Sequence, residues 1–244
     1  VDSHTDSPFF LLRGGFELNQ RHDIKEDGSR LDFPRMREGG LDAVFFAAFA
    51  GQKERNDEGN LQAFTKVNTI IDSIHAHLER NQETAALALN PSDASKYERE
   101  GRRSIFIGIE NGYAIGNDLG NIEYFYQKGA RYITLCHTRN NDICDSSTDT
   151  VGFNGLSEFG KEVVLAMNRT GMMIDVSHIS DSSFYEVISL TQTPVIASHS
   201  CARAVCDNPR NLSDDMLRKL AENGGVIQVC ILSDYVKTPE PYPA

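Results

Sequence analysis

"MMIDVSH" (residues 172–178) is a short apolar run that closes on a histidine. Near-continuous apolarity over about four to eight residues marks a strand buried on both faces. "PVIASHS" (194–200) has the same form and carries His199. "SIFIGIE" (104–110) and "YITLCH" (132–137) repeat it, ending on Glu110 and His137, while "LDAVFFAAFA" (41–50) and "VIQVCIL" (226–232) are apolar but for Asp42 and Gln228. The chain opens on "VDSHTDSP" (1–8), a strand-like segment with His4 and Asp6 two residues apart. Residues i and i+2 of a strand share a face, so this imidazole and carboxylate project side by side.

Helical patterns fill the intervals. Phe64, Val67, Ile70, Ile71, Ile74 and Leu78 follow a 3.6-residue period along a long helix. Phe159, Val163, Val164 and Met167 mark another, with Ser157 as N-cap and Gly171 as stop; Ser213, Leu217, Leu220 and Gly224 repeat that grammar. Alternating strands and helices predict a parallel α/β fold. An open doubly wound sheet and a closed barrel both fit the alternation, and the polar residues choose between them. His4 with Asp6, Glu110, His137, His178 and His199 lie at the C-terminal ends of five different strands. Only a closed barrel brings all its strand ends to one mouth.

The fold expected is therefore a (β/α)8 TIM-type barrel, one domain over residues 1–244. Seven barrel strands are countable. "ALALN" (86–90), ahead of the helix-like "PSDASKYEREG" (91–101), reads as an excursion, so the last βα unit is missing after Leu232. The expectation is a C-terminally incomplete record of a longer protein, with an apolar edge on both sides of a gap. Gln52–Asn60 and the tail "KTPEPYPA" (237–244) read as loops.

A net charge of −11 argues against nucleic acid as a partner, and no apolar run of about 18 residues is present to span a membrane. Five cysteines without a CxxC pair argue against a disulfide framework and a thiolate zinc cluster. No signal peptide is visible from Val1, but one removed upstream leaves the compartment open; the expectation is a soluble protein, cytoplasmic or exported.

Of seven histidines, His22, His75 and His77 lie in a loop or on the long helix, where packed or solvated rings are the ordinary case. The four at strand ends, with Asp6 and Glu110, point to a metal site. Imidazole and carboxylate without thiolate suit zinc or another first-row divalent ion. Six candidates exceed the needs of one catalytic ion but suit two ions sharing a carboxylate, which would hold a bridging hydroxide and polarise a carbonyl.

"DSHTDSP", "GIENGYAI", "YITLCHTRNN", "GLSEFGKEVVLAMNRTGMMIDVSH", "PVIASHSCARAVCDNPRN" and "LAENGGVIQV" closely resemble the renal (membrane) dipeptidase family, the M19 metallopeptidases. The resemblance implies a (β/α)8 barrel of the metal-dependent amidohydrolase superfamily that cleaves dipeptides with two zinc ions. It implies that His4 and Asp6 hold the first ion, that Glu110 bridges, and that His178 and His199 hold the second. It gives His137 to the substrate and its tetrahedral intermediate, and Arg210 to the dipeptide's C-terminal carboxylate, which a guanidinium fork suits. Members are often dimers, so a homodimer is the assembly to test. Two departures stand out. "ENGY" replaces the frequent "EGGH", placing Asn111 and Tyr113 beside Glu110. The family's last strand also bears a proton-transferring aspartate, and Asp234 in "LSDYV" is in no matching motif. The competing readings are lactam or lactone hydrolysis by the same superfamily and a non-catalytic metal-binding barrel fragment.

Overall fold

A computed structural model describes residues 1–237. Its strands are β1 (Asp2–Thr5), β2 (Ala43–Phe49), β3 (Ala85–Leu87), β4 (Arg103–Glu110), β5 (Ala130–Thr134), β6 (Met173–Asp175), β7 (Ile196–Ser200) and β8 (Val226–Val229). They alternate with α1 (Phe33–Glu38), α2 (Asp57–Arg80), α3 (Pro91–Arg99), α4 (Gly120–Gln127), α5 (Glu158–Thr170), α6 (Asp181–Leu190), α7 (Asp214–Glu222) and α8 (Ser233–Val236). The sheet runs β1-β2-β4-β5-β6-β7-β8, parallel throughout, with β3 off this path on β4. It is a nearly closed barrel of the TIM type. The seven barrel strands are those expected from the sequence, and residues 86–90 belong to an excursion.

The two faces of the strands build two cores. On β2, Val44, Phe46 and Ala48 face outward to Val67, Ile70, Ile71 and Ile74 of α2 in the larger cluster. Ala43 and Phe45 face inward to Ala88, Phe106 and Tyr132, with Ala94 and Tyr97 of α3 packed below. Gly108 makes room for this interior: a Cβ there would lie 2.0 Å from Tyr132 Cζ.

Caps set the helix ends. Ser157 Oγ accepts from Gly160 N at 2.8 Å, and Gly171 closes α5 in the left-handed region at φ +82°. Ser213 caps α7 by accepting from Met216 N. The loop expected at Gln52–Asn60 ends earlier, because α2 starts at Asp57. Asn56 accepts from Gly59 N, and Asp57 and Glu58 in the first turn face the positive end of the helix dipole. The tail at 238–244 lies outside the described residues.

Among the described residues no ladder joins β1 to β8. Side chains span the seam: Ser3 N donates to Gln228 Oε1 at 2.7 Å, and Ser3 Oγ donates to the Ser198 carbonyl at 2.7 Å. Val226, Val229 and Ile231 on the β8 side are exposed. No helix among the described residues is long and apolar enough to cross a membrane.

Candidate metal centre

Glu110, the last residue of β4, is the hub. It is buried, and its carboxylate faces the Nε2 atoms of four imidazoles: His178 at 3.3 Å, His199 at 3.5 Å, His137 at 3.6 Å and His4 at 3.7 Å. His4 lies in β1 and His199 in β7; His137 and His178 follow β5 and β6 by three residues each. The barrel thus brings strand ends remote in sequence to one point. His4 stacks on His199 with centroids 3.8 Å apart, and His178 Nε2 lies 2.8 Å from His199 Nε2.

Two triads have ligand atoms within 4.8 Å of one another: His4, Glu110 and His199, and Glu110, His137 and His178. Asp6 stands outside both, its carboxylate exposed and its Oδ1 3.5 Å from His4 Nε2. His137 is the most open of the imidazoles, 28% exposed, against the ring of Phe49.

Burial alone would push the Glu110 carboxyl up. The neighbouring His4 charge and the His178 and His199 rings beside it outweigh burial and hold the group well below the usual carboxylate range. Burial favours the neutral ring in the three other histidines: His178 is pushed down to about 3, and His137 and His199 are lowered. Arg210 adds to the effect at His137 and His178. His4 goes the other way: burial opposes its charge, but Glu110 and Asp6 raise it. The site therefore sets imidazole nitrogens around an ionised carboxylate. That donor set, without thiolate, fits a divalent first-row cation.

Arg210 is buried and donates to Ser200 Oγ at 3.3 Å and to the His199 carbonyl at 2.9 Å, while its Nε has no hydrogen-bond partner. It is a fixed guanidinium beside the metal centre, not a surface charge. Asp234 is exposed on α8. His22 bonds Asp27 and the Glu17 carbonyl, His75 bonds the Lys128 carbonyl, and His77 is buried on α2, all apart from the centre.

The local backbone accounts for one departure from the family pattern. Asn111 has φ +77°, a conformation glycine adopts freely and other residues rarely. Its buried amide compensates by donating to the Ala50 carbonyl and accepting from Tyr113 N and Asn141 Nδ2. Tyr113 turns its hydroxyl to the Glu54 carbonyl at 2.6 Å, tying down the β2–α2 loop. His178 is also left-handed, at φ +73°, a second strained residue at the same mouth.

Three supporting residues escaped the sequence reading. Tyr132 Oη lies 3.0 Å from His4 Nδ1. Asp175 is fully buried and bonded to Ser198, whose Oγ lies 2.7 Å from His199 Nδ1. The signal was an aspartate inside the apolar run "MMIDVSH", where a buried charge requires partners.

The sequence profile of the family described as "Membrane dipeptidase (Peptidase family M19)" matches residues 1–242. "Dipeptidase verJ" of Clonostachys rogersoniana is 33% identical over 241 residues, covering 95% of this chain and 62% of the relative. "Dipeptidase 3" of Mus musculus is 34% identical over 239 residues, covering 95% and 46%. The crystal structure of "the probable dipeptidase PvdM from Pseudomonas aeruginosa" superposes with a TM-score of 0.85 at 28% identity, covering 93% of this chain and 58% of that one. The chain spans less than two thirds of the length of each.

Proposed function

Because the chain belongs to the membrane dipeptidase family, peptidase family M19, we propose that its protein hydrolyses dipeptides using two divalent ions, zinc first among them. The observation that carries this reading is the Glu110 carboxylate within 3.7 Å of four imidazole nitrogens. In this reading His4 and Asp6 hold one ion, His178 and His199 the other, and Glu110 serves both. Ions bound there would polarise the scissile carbonyl and lower the pKa of a water nucleophile.

The chain's own residues supply the rest. The low pKa of Glu110 keeps it an acceptor, and the neutral rings of His178 and His199 keep lone pairs free without competition from protons near pH 7. His137 is assigned to the substrate, not to a metal. Its greater exposure and its contact with Phe49 support a position at the opening, where a neutral ring can donate to an oxygen gaining charge. Arg210, held by two of its nitrogens, offers a preoriented cation to a substrate carboxylate.

The test is metal analysis and a dipeptide assay on the full-length protein. The expected result is two ions per chain and turnover lost on chelation and restored by zinc. Turnover indifferent to chelators would overturn the metal reading. A metal-loaded protein that opens lactams or lactones but leaves dipeptides intact would overturn the substrate.

A further inference from the structure

Asp175 sits at the end of β6 with no exposed surface, and each of its carboxylate oxygens receives two donors. Oδ1 accepts from Ser177 N at 3.0 Å and Ser198 N at 2.9 Å. Oδ2 accepts from Thr134 Oγ1 at 2.5 Å and Ser198 Oγ at 2.6 Å. Four donors and no acceptor neighbour mark an ionised carboxylate. Ser198 has one hydroxyl proton, and Asp175 takes it. At the 2.7 Å contact with His199, Ser198 Oγ must then accept, so the proton there sits on His199 Nδ1. His199 Nε2 is left bare, and it is the atom that faces Glu110 and His178. The backbone is locked into the same arrangement, since His199 N donates to Ser177 Oγ at 3.1 Å.

We propose that Asp175 is a positioning residue that acts through Ser198 to fix the Nδ1-protonated tautomer of His199 and aim its Nε2 lone pair at the metal centre. The aspartate reaches no substrate; its effect travels through one hydroxyl. A carboxylate bonded directly to a ligand histidine is the common outer-shell arrangement, and here the serine lengthens it by one link. His178 lacks any counterpart, because its buried Nδ1 has no partner. The relay therefore distinguishes the two histidines of the pair. The inference rests on the metal reading only for what the bare Nε2 is used for.

The ring nitrogens of the metal-free protein, resolved by long-range 1H–15N correlation, test the tautomer without any ion. Nδ1–H on His199 is expected; a bare Nδ1 overturns the relay. Zinc affinity by chelator competition then tests the purpose. Ser198→Ala and Asp175→Asn should each weaken one of the two bound ions by about 10–100-fold, the scale for lost outer-shell partners, and leave the other nearly unchanged. Ser198→Thr, which keeps the hydroxyl, should restore binding. A general loss of packing would weaken both ions and would not be rescued by threonine, which would overturn the positioning role. So would wild-type affinity in both variants. If the wild-type protein binds no zinc, the metal reading fails, and the nitrogen spectra still decide the tautomer.

Discussion

His178 Nε2 and His199 Nε2 lie 2.8 Å apart in a buried site where both rings are held neutral. Two bare nitrogens at that distance repel, so either a proton or a cation must lie between them or bind both. With His199 Nε2 bare, the metal-free chain can satisfy the contact only by protonating His178 Nε2. That leaves His178 Nδ1 as the buried atom without a partner. The contact is thus one N–H···N hydrogen bond, whose proton a cation bound by both rings would displace.

Acid should destabilise the metal-free protein. The folded pKa of His178, about 3, lies below the ordinary histidine value of 6.5, so between them the unfolded chain takes a proton that the native chain refuses. Stability of the metal-free protein should therefore fall as pH drops from about 6.5 toward 3, by up to about 1.4 kcal/mol per pH unit for one such group. His137 and His199, also lowered, add in the same sense. His4 opposes: its raised pKa gives stability that is present in acid and lost as pH rises through the folded value. Urea midpoints of the metal-free protein from pH 7 to 4 check the sum, and a flat profile would contradict it.

Glu110→Gln should lower occupancy of both ions, because one carboxylate faces every imidazole of the site. Metal analysis after dialysis reads the result. Loss of a single ion would mean that Glu110 does not bridge.

His137→Ala should retain both ions while turnover falls by roughly 10²–10³-fold, the cost of one oxyanion donor. Because His137 also stands in a triad with Glu110 and His178, the alternative outcome is concrete: an ion lost with the ring would make it a ligand.

Arg210→Ala should reduce kcat/KM for dipeptides by roughly 10–150-fold, from about 1.5–3 kcal/mol for a charge-assisted contact. A dipeptide amide, lacking the carboxylate, should be a poor substrate for both forms. Equal losses on acid and amide would remove Arg210 from substrate binding.

Gly108→Ala should destabilise the protein by about 1–3 kcal/mol or more, since the new Cβ meets the Tyr132 ring at 2.0 Å with no free volume to yield. Displacing Tyr132 also withdraws its hydroxyl from His4 Nδ1, so metal affinity should fall with stability. A denaturation midpoint unchanged from wild type would show that the barrel interior yields more than its packing implies.

Strands β2 and β4 were legible because both faces are buried and no alternation is needed. The polar strand endings were legible because a carboxylate or imidazole at the close of a buried apolar run must find a partner or a ligand there. The capped helices α2, α5 and α7 announced themselves, but α4 did not. It opens at Gly120 with no side-chain cap, and only Ile122 and Phe125 are buried. Helix α6 buries only Ser183, Phe184 and Val187, too sparse a stripe to read as a period. The tautomer relay was hidden for another reason. Asp175, Ser198 and His199 meet only once β6 and β7 are side by side, and the sequence carries no trace of which hydroxyl finds which carboxylate.

The β3–α3 excursion closes the barrel from below. Ala94 and Tyr97 press against Phe45, Phe106 and Tyr132, which fill the axis beneath the metal centre. The molecule therefore works like a well with a solid floor. Among the described residues, Phe49 and the partly exposed ring of His137 stand together at the rim of that well, above the buried Glu110.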